Sequence, residues 1–321
     1  QSPQLDFGKS LPLPLGGTFA DSRDAGGAPL KTPYIEALLK TAWFSQSGAA
    51  MLPQAVTAVL CASAGRGEAR EEALEMVLAP AAKTELVTMN DPFYLARVET
   101  TMGMMRCYRD GAIAETEKDP ELARFFTGRL EKQSVLQNDA PYRIADFGEA
   151  FEFCNWLSHT RGFQPVYRME ANGGWSANFD ADGFRLPTDH EWEYAARFGL
   201  DWYPVQGRSP WQKIREDLDR DHADTFVWFY YKDGPRSAKA PGASPYPLGM
   251  SDMCGNVGEL AMRSAKWRNM EKDRPGLVVC GGSFKHRMAE QVMPWAREDL
   301  AGAENVGFRV MLPVKTEALL K

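Results

Sequence analysis

The segment Phe184-Arg-Leu-Pro-Thr-Asp-His-Glu-Trp-Glu-Tyr-Ala-Ala-Arg197 announces a short helix with a defined start. Thr188 and Glu191 have the spacing of a capping box. The hydroxyl accepts from the first helical turn and the carboxylate reaches back to the Thr188 amide. Pro187 precedes the cap, and the helix is predicted to end near Arg197. Toward the C-terminus, Asp252-Met-Cys-Gly-Asn-Val-Gly-Glu259 is a glycine-containing turn carrying two carboxylates. Leu277-Val-Val-Cys280 reads as a strand running into the tight turn Gly281-Gly-Ser283, and Val306-Gly-Phe-Arg-Val310 opens a last β-like run to Leu312.

Toward the N-terminus, Asp146 is a good helix cap. Phe147, Ala150, Phe151, Cys154 and Leu157 form one apolar face through about His159, with Trp156 off the stripe. Phe93 to Thr100 suggests a strand leading into a helix near Thr101. Leu11 to Phe19 reads as a first strand. Between them the pattern turns helical. Tyr34, Ile35, Leu38, Leu39, Ala42 and Trp43 recur at helical spacing, Ala55–Ala62 is a second apolar segment, and Arg66–Met76 gives a charged third helix. Residues 32–80 are therefore expected to form a helical insertion within a single domain spanning 1–321.

With 321 residues, 44% of them hydrophobic, the chain can bury a large core. Its net charge of −6 argues against a broad nucleic-acid footprint, which needs a basic face. The apolar run Ala49–Ala64 contains Pro53 and Gln54 and falls short of the ~20 residues that span a bilayer. The chain opens at Gln1, the form an exported protein takes once its signal peptide is removed. Export is the resulting expectation.

Five cysteines show no zinc-like spacing. Cys61, Cys107 and Cys154 lie in apolar, helix-like contexts that suit buried free thiols. Cys254 and Cys280, each beside one of the turns quoted above, are a candidate disulfide pair.

Taken in order, the four phrases at 184–197, 252–259, 281–283 and 306–310 resemble the formylglycine-generating enzyme (sulfatase-modifying factor) family. The resemblance implies an α+β, loop-rich variant of the C-type lectin fold. It also implies calcium at the 252–259 turn, held by the Asp252 side chain, the Gly255 and Val257 carbonyls and the Glu259 carboxylate. The chemistry is apt, since calcium takes about six to eight oxygen ligands in irregular geometry. The alternative is a turn whose acids cap neighbouring amides. Gly258 and Leu260 stand where the family usually has aromatics, and a second family calcium site would fall near Asp224 and Thr225.

The family's oxidases carry two cysteines shortly after the Gly-Gly-Ser turn, whose thiolates hold copper(I). Here His286 and Gln291 occupy those positions, and no cysteine follows Cys280. One imidazole does not replace a bis-thiolate site, so copper chemistry is not expected. The family's iron-dependent sulfoxide synthases need clustered histidines. His159, His190, His222 and His286 are dispersed, so an iron centre is not expected either. His190 reads as a surface or supporting residue. Ser283 has no His or acid at a recognisable catalytic spacing. Arg185, Arg297 and Arg309 match family core arginines and are expected in buried ion networks.

Trp228, Phe229, Tyr230 and Tyr231 are four adjacent aromatics that cannot all face one side of a strand. They are the candidate partner-binding surface. Among members lacking the cysteines, the chain looks like the periplasmic TagR-type accessory proteins of type VI secretion. That resemblance implies a non-catalytic role upstream of a membrane Ser/Thr kinase, with the kinase's periplasmic region or an outer-membrane lipoprotein as partner. The rivals are a periplasmic siderophore-maturation oxidoreductase using a pocket near His286, Trp295 and Arg297, and a ligand-displaying variable protein.

Overall fold

The computed structural model describes residues 91–115, 137–197, 234–238, 249–264, 276–287, 289–292, 296–299, 301 and 303–314. It also describes strand segments at 18–19, 43–44, 50–51, 55–63, 70–79, 82–83 and 88–89. Among the described residues the architecture is α+β, as the sequence implied. One sheet has the order β1-β4-β5-β8-β15, and a second β13-β12-β11-β14. Chain order begins with β1 (Thr18–Phe19), the hairpin β2 (Trp43–Phe44) and β3 (Ala50–Met51), then β4 (Ala55–Ser63) and β5 (Arg70–Ala79). A second small hairpin, β6 (Ala82–Lys83) and β7 (Thr88–Met89), precedes β8 (Phe93–Ala96) and helix α1 (Met102–Glu115). Helix α2 (Gly148–Thr160), the hairpin β9 (Tyr167–Met169) and β10 (Trp175–Ala177), and helix α3 (Asp189–Arg197) follow. The chain closes with β11 (Gly258–Met262), β12 (Leu277–Cys280), β13 (Arg297–Glu298), β14 (Val306–Gly307) and β15 (Met311–Pro313).

The expectation of helices is corrected at 55–63 and 70–76: these residues lie in β4 and β5, the second and third strands of the main sheet. Val56, Ala58, Leu74 and Met76 are buried while Glu75 points to solvent, an alternation of period two. Ala, Leu, Met and Glu favour helix in isolation, but long-range pairing of β5 with both β4 and β8 overrides that preference. Tyr34 to Ala42 lie outside the described residues.

Trp43, also read as helical, lies in strand β2, whereas the expectations for α2 and α3 hold. The capping box forms with both arms: Glu191 N donates to Thr188 Oγ1 at 3.2 Å, and Thr188 N donates to Glu191 Oε2 at 2.7 Å. Asp146 Oδ1 accepts from Gly148 N at 2.8 Å as α2 begins. Phe151, Cys154 and Leu157 are fully buried along one face of α2, and Trp156 packs on Tyr108 and Phe153.

The main sheet lies between two apolar clusters. Met76, Tyr94, Ala96 and Leu312 face the larger one, with α2 and Phe308. Val77, Phe93, Leu95 and Met311 face the smaller one, with Trp192, Tyr194, Cys254 and Cys280. The Arg185 backbone exchanges both hydrogen bonds with Met311, at 3.0 and 2.8 Å, so the segment entering α3 is fastened to the edge strand β15.

Candidate functional site

The turn at 252–259 and the glycine turn at 281–283 form one spatial unit. β11 and β12 pair antiparallel with Glu259 opposite Cys280, which brings the two turns together. Gly255 N donates to Gly281 O at 2.7 Å and Phe284 N to Asn256 O at 2.8 Å. Asp252, Gly255 and Asn256 all have positive φ, a conformation that needs such outside support when the residue is not glycine.

Each acid of this turn meets a guanidinium. Asp252 Oδ1 accepts from Arg236 Nε at 2.8 Å and also from Arg236 Nη2. Glu259 accepts from Arg309 Nε at 2.6 Å on one oxygen and from Arg309 Nη2 on the other, and Trp192 Nε1 adds a bond of 2.7 Å. Arg309 further donates to the carbonyls of Ala96, Arg97 and Ser251 at 2.9, 3.1 and 2.9 Å. Asn256 donates to Glu99 Oε1 at 3.0 Å and accepts from Arg236 N at 2.9 Å. Burial raises the pKa of Glu99 well above the ordinary carboxylate value, and the negative charges of Asp252 and Glu259 push the same way. Burial also raises Asp252, against the pull of Arg236.

Both carboxylates of the calcium ligand set implied by resemblance are engaged by guanidinium groups. Both oxygens of Glu259 are committed to Arg309 and Trp192, and one of Asp252's is committed to Arg236. Asp252 Oδ2 and Glu99 Oε2 are the carboxylate oxygens left buried without a hydrogen bond. Among the described residues, no three His, Cys, Asp or Glu side chains gather in a way that would hold a metal ion. A divalent ion here would compete with Arg236 and Arg309 for these carboxylates. The positions near Asp224 and Thr225 lie outside the described residues.

At the position of the family's first active cysteine, His286 is built into the turn. Its Nδ1 accepts from Ser283 N at 2.7 Å, Ser283 Oγ lies 3.3 Å from the same nitrogen, and Nε2 lies 3.5 Å from Glu298 Oε2. Ser283 does therefore have a His and an acid in line with it, which its spacing did not reveal. Glu298 arrives through the pairing of β13 with β12, where it stands opposite Val279. This line of groups is not set up as a nucleophile and base. The Nδ1 lone pair is already spent on the Ser283 amide, and Ser283 is buried. Gln291, at the second cysteine position, accepts from Arg287 N at 3.3 Å.

The arginine expectation holds. Arg185 pairs with Glu191 at 2.7 and 2.8 Å. Arg297 bonds Glu193 at 2.7 Å and the Asp189 carbonyl at 3.1 Å, and it lies over the Trp192 ring. His190 is exposed. Arg236, Glu99 and Glu298 were missed in the sequence. Arg236 sits in a stretch whose sequence shows no periodicity, and Glu298 reaches its partner through strand pairing. Glu99 did carry a signal, a lone acid at the end of an apolar strand.

The cysteine expectations change in two places. Cys254 and Cys280 are free, buried thiols, so the candidate disulfide between them is not formed. Cys107, read as a free thiol, is disulfide-bonded. Cys154 is free and buried as expected, and the Cys61 side chain lies outside the described residues, as do Trp228, Phe229, Tyr230, Tyr231 and Trp295.

Residues 48–314 match the sulfatase-modifying factor enzyme 1-like domain. Among solved structures, the chain is similar to Treponema denticola variable protein 1 at 18% identity. That match covers 82% of this chain and 100% of the other, with a TM-score of 0.54. It is also similar to CarF, at 20% identity over 70% of this chain and 87% of that one, with a TM-score of 0.45. The first likeness establishes the fold alone. No curated protein matches the sequence.

Proposed function

Because the chain belongs to the family of sulfatase-modifying factor enzyme 1-like domains, we propose that it is a non-catalytic, exported regulator built on that fold. The observation that carries this reading is the use made of His286. Where a copper-binding thiolate would stand, an imidazole braces the Gly-Gly-Ser turn through the Ser283 amide and faces Glu298. Nothing in that arrangement supplies the soft sulfur pair that copper(I) chemistry needs. A disulfide at Cys107 supports an oxidising compartment, the periplasm in this reading. No helix among the described residues is long and apolar enough to cross a membrane.

Within that role, the resemblance to TagR-type accessory proteins assigns the chain a place upstream of a membrane Ser/Thr kinase, promoting the threonine phosphorylation that activates type VI secretion. The partner is the kinase's periplasmic region or an outer-membrane lipoprotein. It is engaged by the aromatic run Trp228, Phe229, Tyr230 and Tyr231, since such side chains bury large areas with few rotors.

The test is crosslinking in periplasm followed by identification of the captured protein, alongside threonine phosphorylation in cells lacking this chain. A kinase ectodomain or lipoprotein captured by the wild type, and lost with Trp228→Ala or Tyr231→Ala, is the expected result. Oxygen uptake coupled to conversion of a peptide siderophore by the purified chain would replace the regulator with an oxidoreductase.

A further inference from the structure

The buried charges around the 252–259 turn form a closed set. Three carboxylates, Glu99, Asp252 and Glu259, are buried together with the fully buried Arg309, and Arg236 reaches in from the 234–238 segment. With all five groups ionised, one negative charge is left over. A single proton balances it, and a divalent ion would overshoot. Glu99 is the group whose surroundings favour keeping that proton.

Arg236 does not reach Asp252 by a chance rotamer. Its own amide is fixed on Asn256 Oδ1 at 2.9 Å. Two residues on, Ala238 N donates to Asp139 O at 2.9 Å, and Ser237 Oγ is bonded to the Asp139 carboxylate. The segment is thus anchored on both sides of the guanidinium. A guanidinium is planar, delocalised and weakly hydrated, so it tolerates such a site better than an ammonium would.

We propose that the guanidinium of Arg236, rather than calcium, is the resident counter-charge of Asp252, so that the fold of this chain needs no divalent cation. Arg309 is the counter-charge of Glu259. The inference does not rest on the function proposed above.

Thermal unfolding of the purified full chain, in excess EDTA and then in millimolar calcium chloride, tests it with two variants. The wild type should show the same Tm in both. Arg236→Met should lose roughly 5–10 °C in EDTA, because it leaves a buried carboxylate unpaired. Calcium should restore part of that loss, since Asp252 is then open to a hard cation. Arg236→Met/Asp252→Asn, which removes both charges, should recover most of the Tm and show no calcium response.

A saturable calcium-dependent rise in the wild-type Tm overturns the proposal, as does an Arg236→Met variant as stable in EDTA as the parent. If Arg236→Met does not fold, the double variant decides. Folding without calcium supports the substituted cation, and failure to fold overturns it.

Discussion

The carboxylate of Glu259 accepts two hydrogen bonds from the guanidinium of Arg309, Nε to Oε2 at 2.6 Å and Nη2 to Oε1, and neither side chain reaches solvent. A pair like this costs much to bury and more to break. Arg309→Met, which strands the carboxylate, should lower stability by about 3–5 kcal/mol. Arg309→Met combined with Glu259→Gln should cost less than the sum of the two single changes. Urea unfolding of the four proteins in the cycle measures this, and simple additivity would mean the two groups do not act as a unit.

The second buried pair, Arg185 with Glu191, has a pH signature. Burial alone would raise the Glu191 pKa, but the Arg185 charge and the Thr188 hydrogen bonds bring it below its ordinary value of 4.5. A lowered carboxylate pKa contributes stability that is present above the unfolded value and is lost as pH falls through the folded one. Between about pH 6 and pH 3, wild-type Tm should therefore fall more steeply than that of Glu191→Gln. Parallel curves would show that the pair contributes nothing through ionisation.

Gly282 has a φ of +63°, and a Cβ there would run into the Gln291 carbonyl. At Gly281, with φ +78°, a Cβ would sit 2.6 Å from the Met253 carbonyl. Gly282→Ala should therefore cost roughly 2–4 kcal/mol, since backbone strain adds to the clash. His286→Ala removes the acceptor of the Ser283 amide and the contact with Glu298 without straining the backbone, and should cost less, about 1–3 kcal/mol. Chemical denaturation ranks the two, and the reverse order would mean that the imidazole, not the backbone, shapes the turn.

Thiol chemistry separates the cysteines. Cys154 and Cys280 are fully buried, and burial pushes both pKa values far above the ordinary range. With Cys254 they should resist alkylation in the native protein and react only on unfolding. Peptide mapping without reductant should recover Cys107 in a crosslinked peptide that reductant splits. Rapid native labelling of Cys280 would contradict the packing of β12.

What the sequence revealed was chemistry contained in a few consecutive residues. The capping box at Thr188 and Glu191 needs only its own four positions, and the apolar stripe of α2 only its own turns. The strands at 55–63 and 70–79 were hidden because their composition suits a helix and only pairing between strands decides otherwise. Arg236 and Asp252 lie sixteen residues apart with no periodic sequence pattern joining them, so no local rule links them. The two turns at 252–259 and 281–283 were each visible, but their union depends on the antiparallel register of β11 and β12.

The double hydrogen bond between Arg185 and Met311 reaches beyond the two residues it joins. Met311 also pairs with Leu95 across the main sheet, and Arg185 leads directly into the helix whose Trp192 touches Glu259. Separating the second sheet from the first would therefore have to undo edge strand, helix entry and ionic centre together. A hinge-like opening between the two sheets would break all three at once.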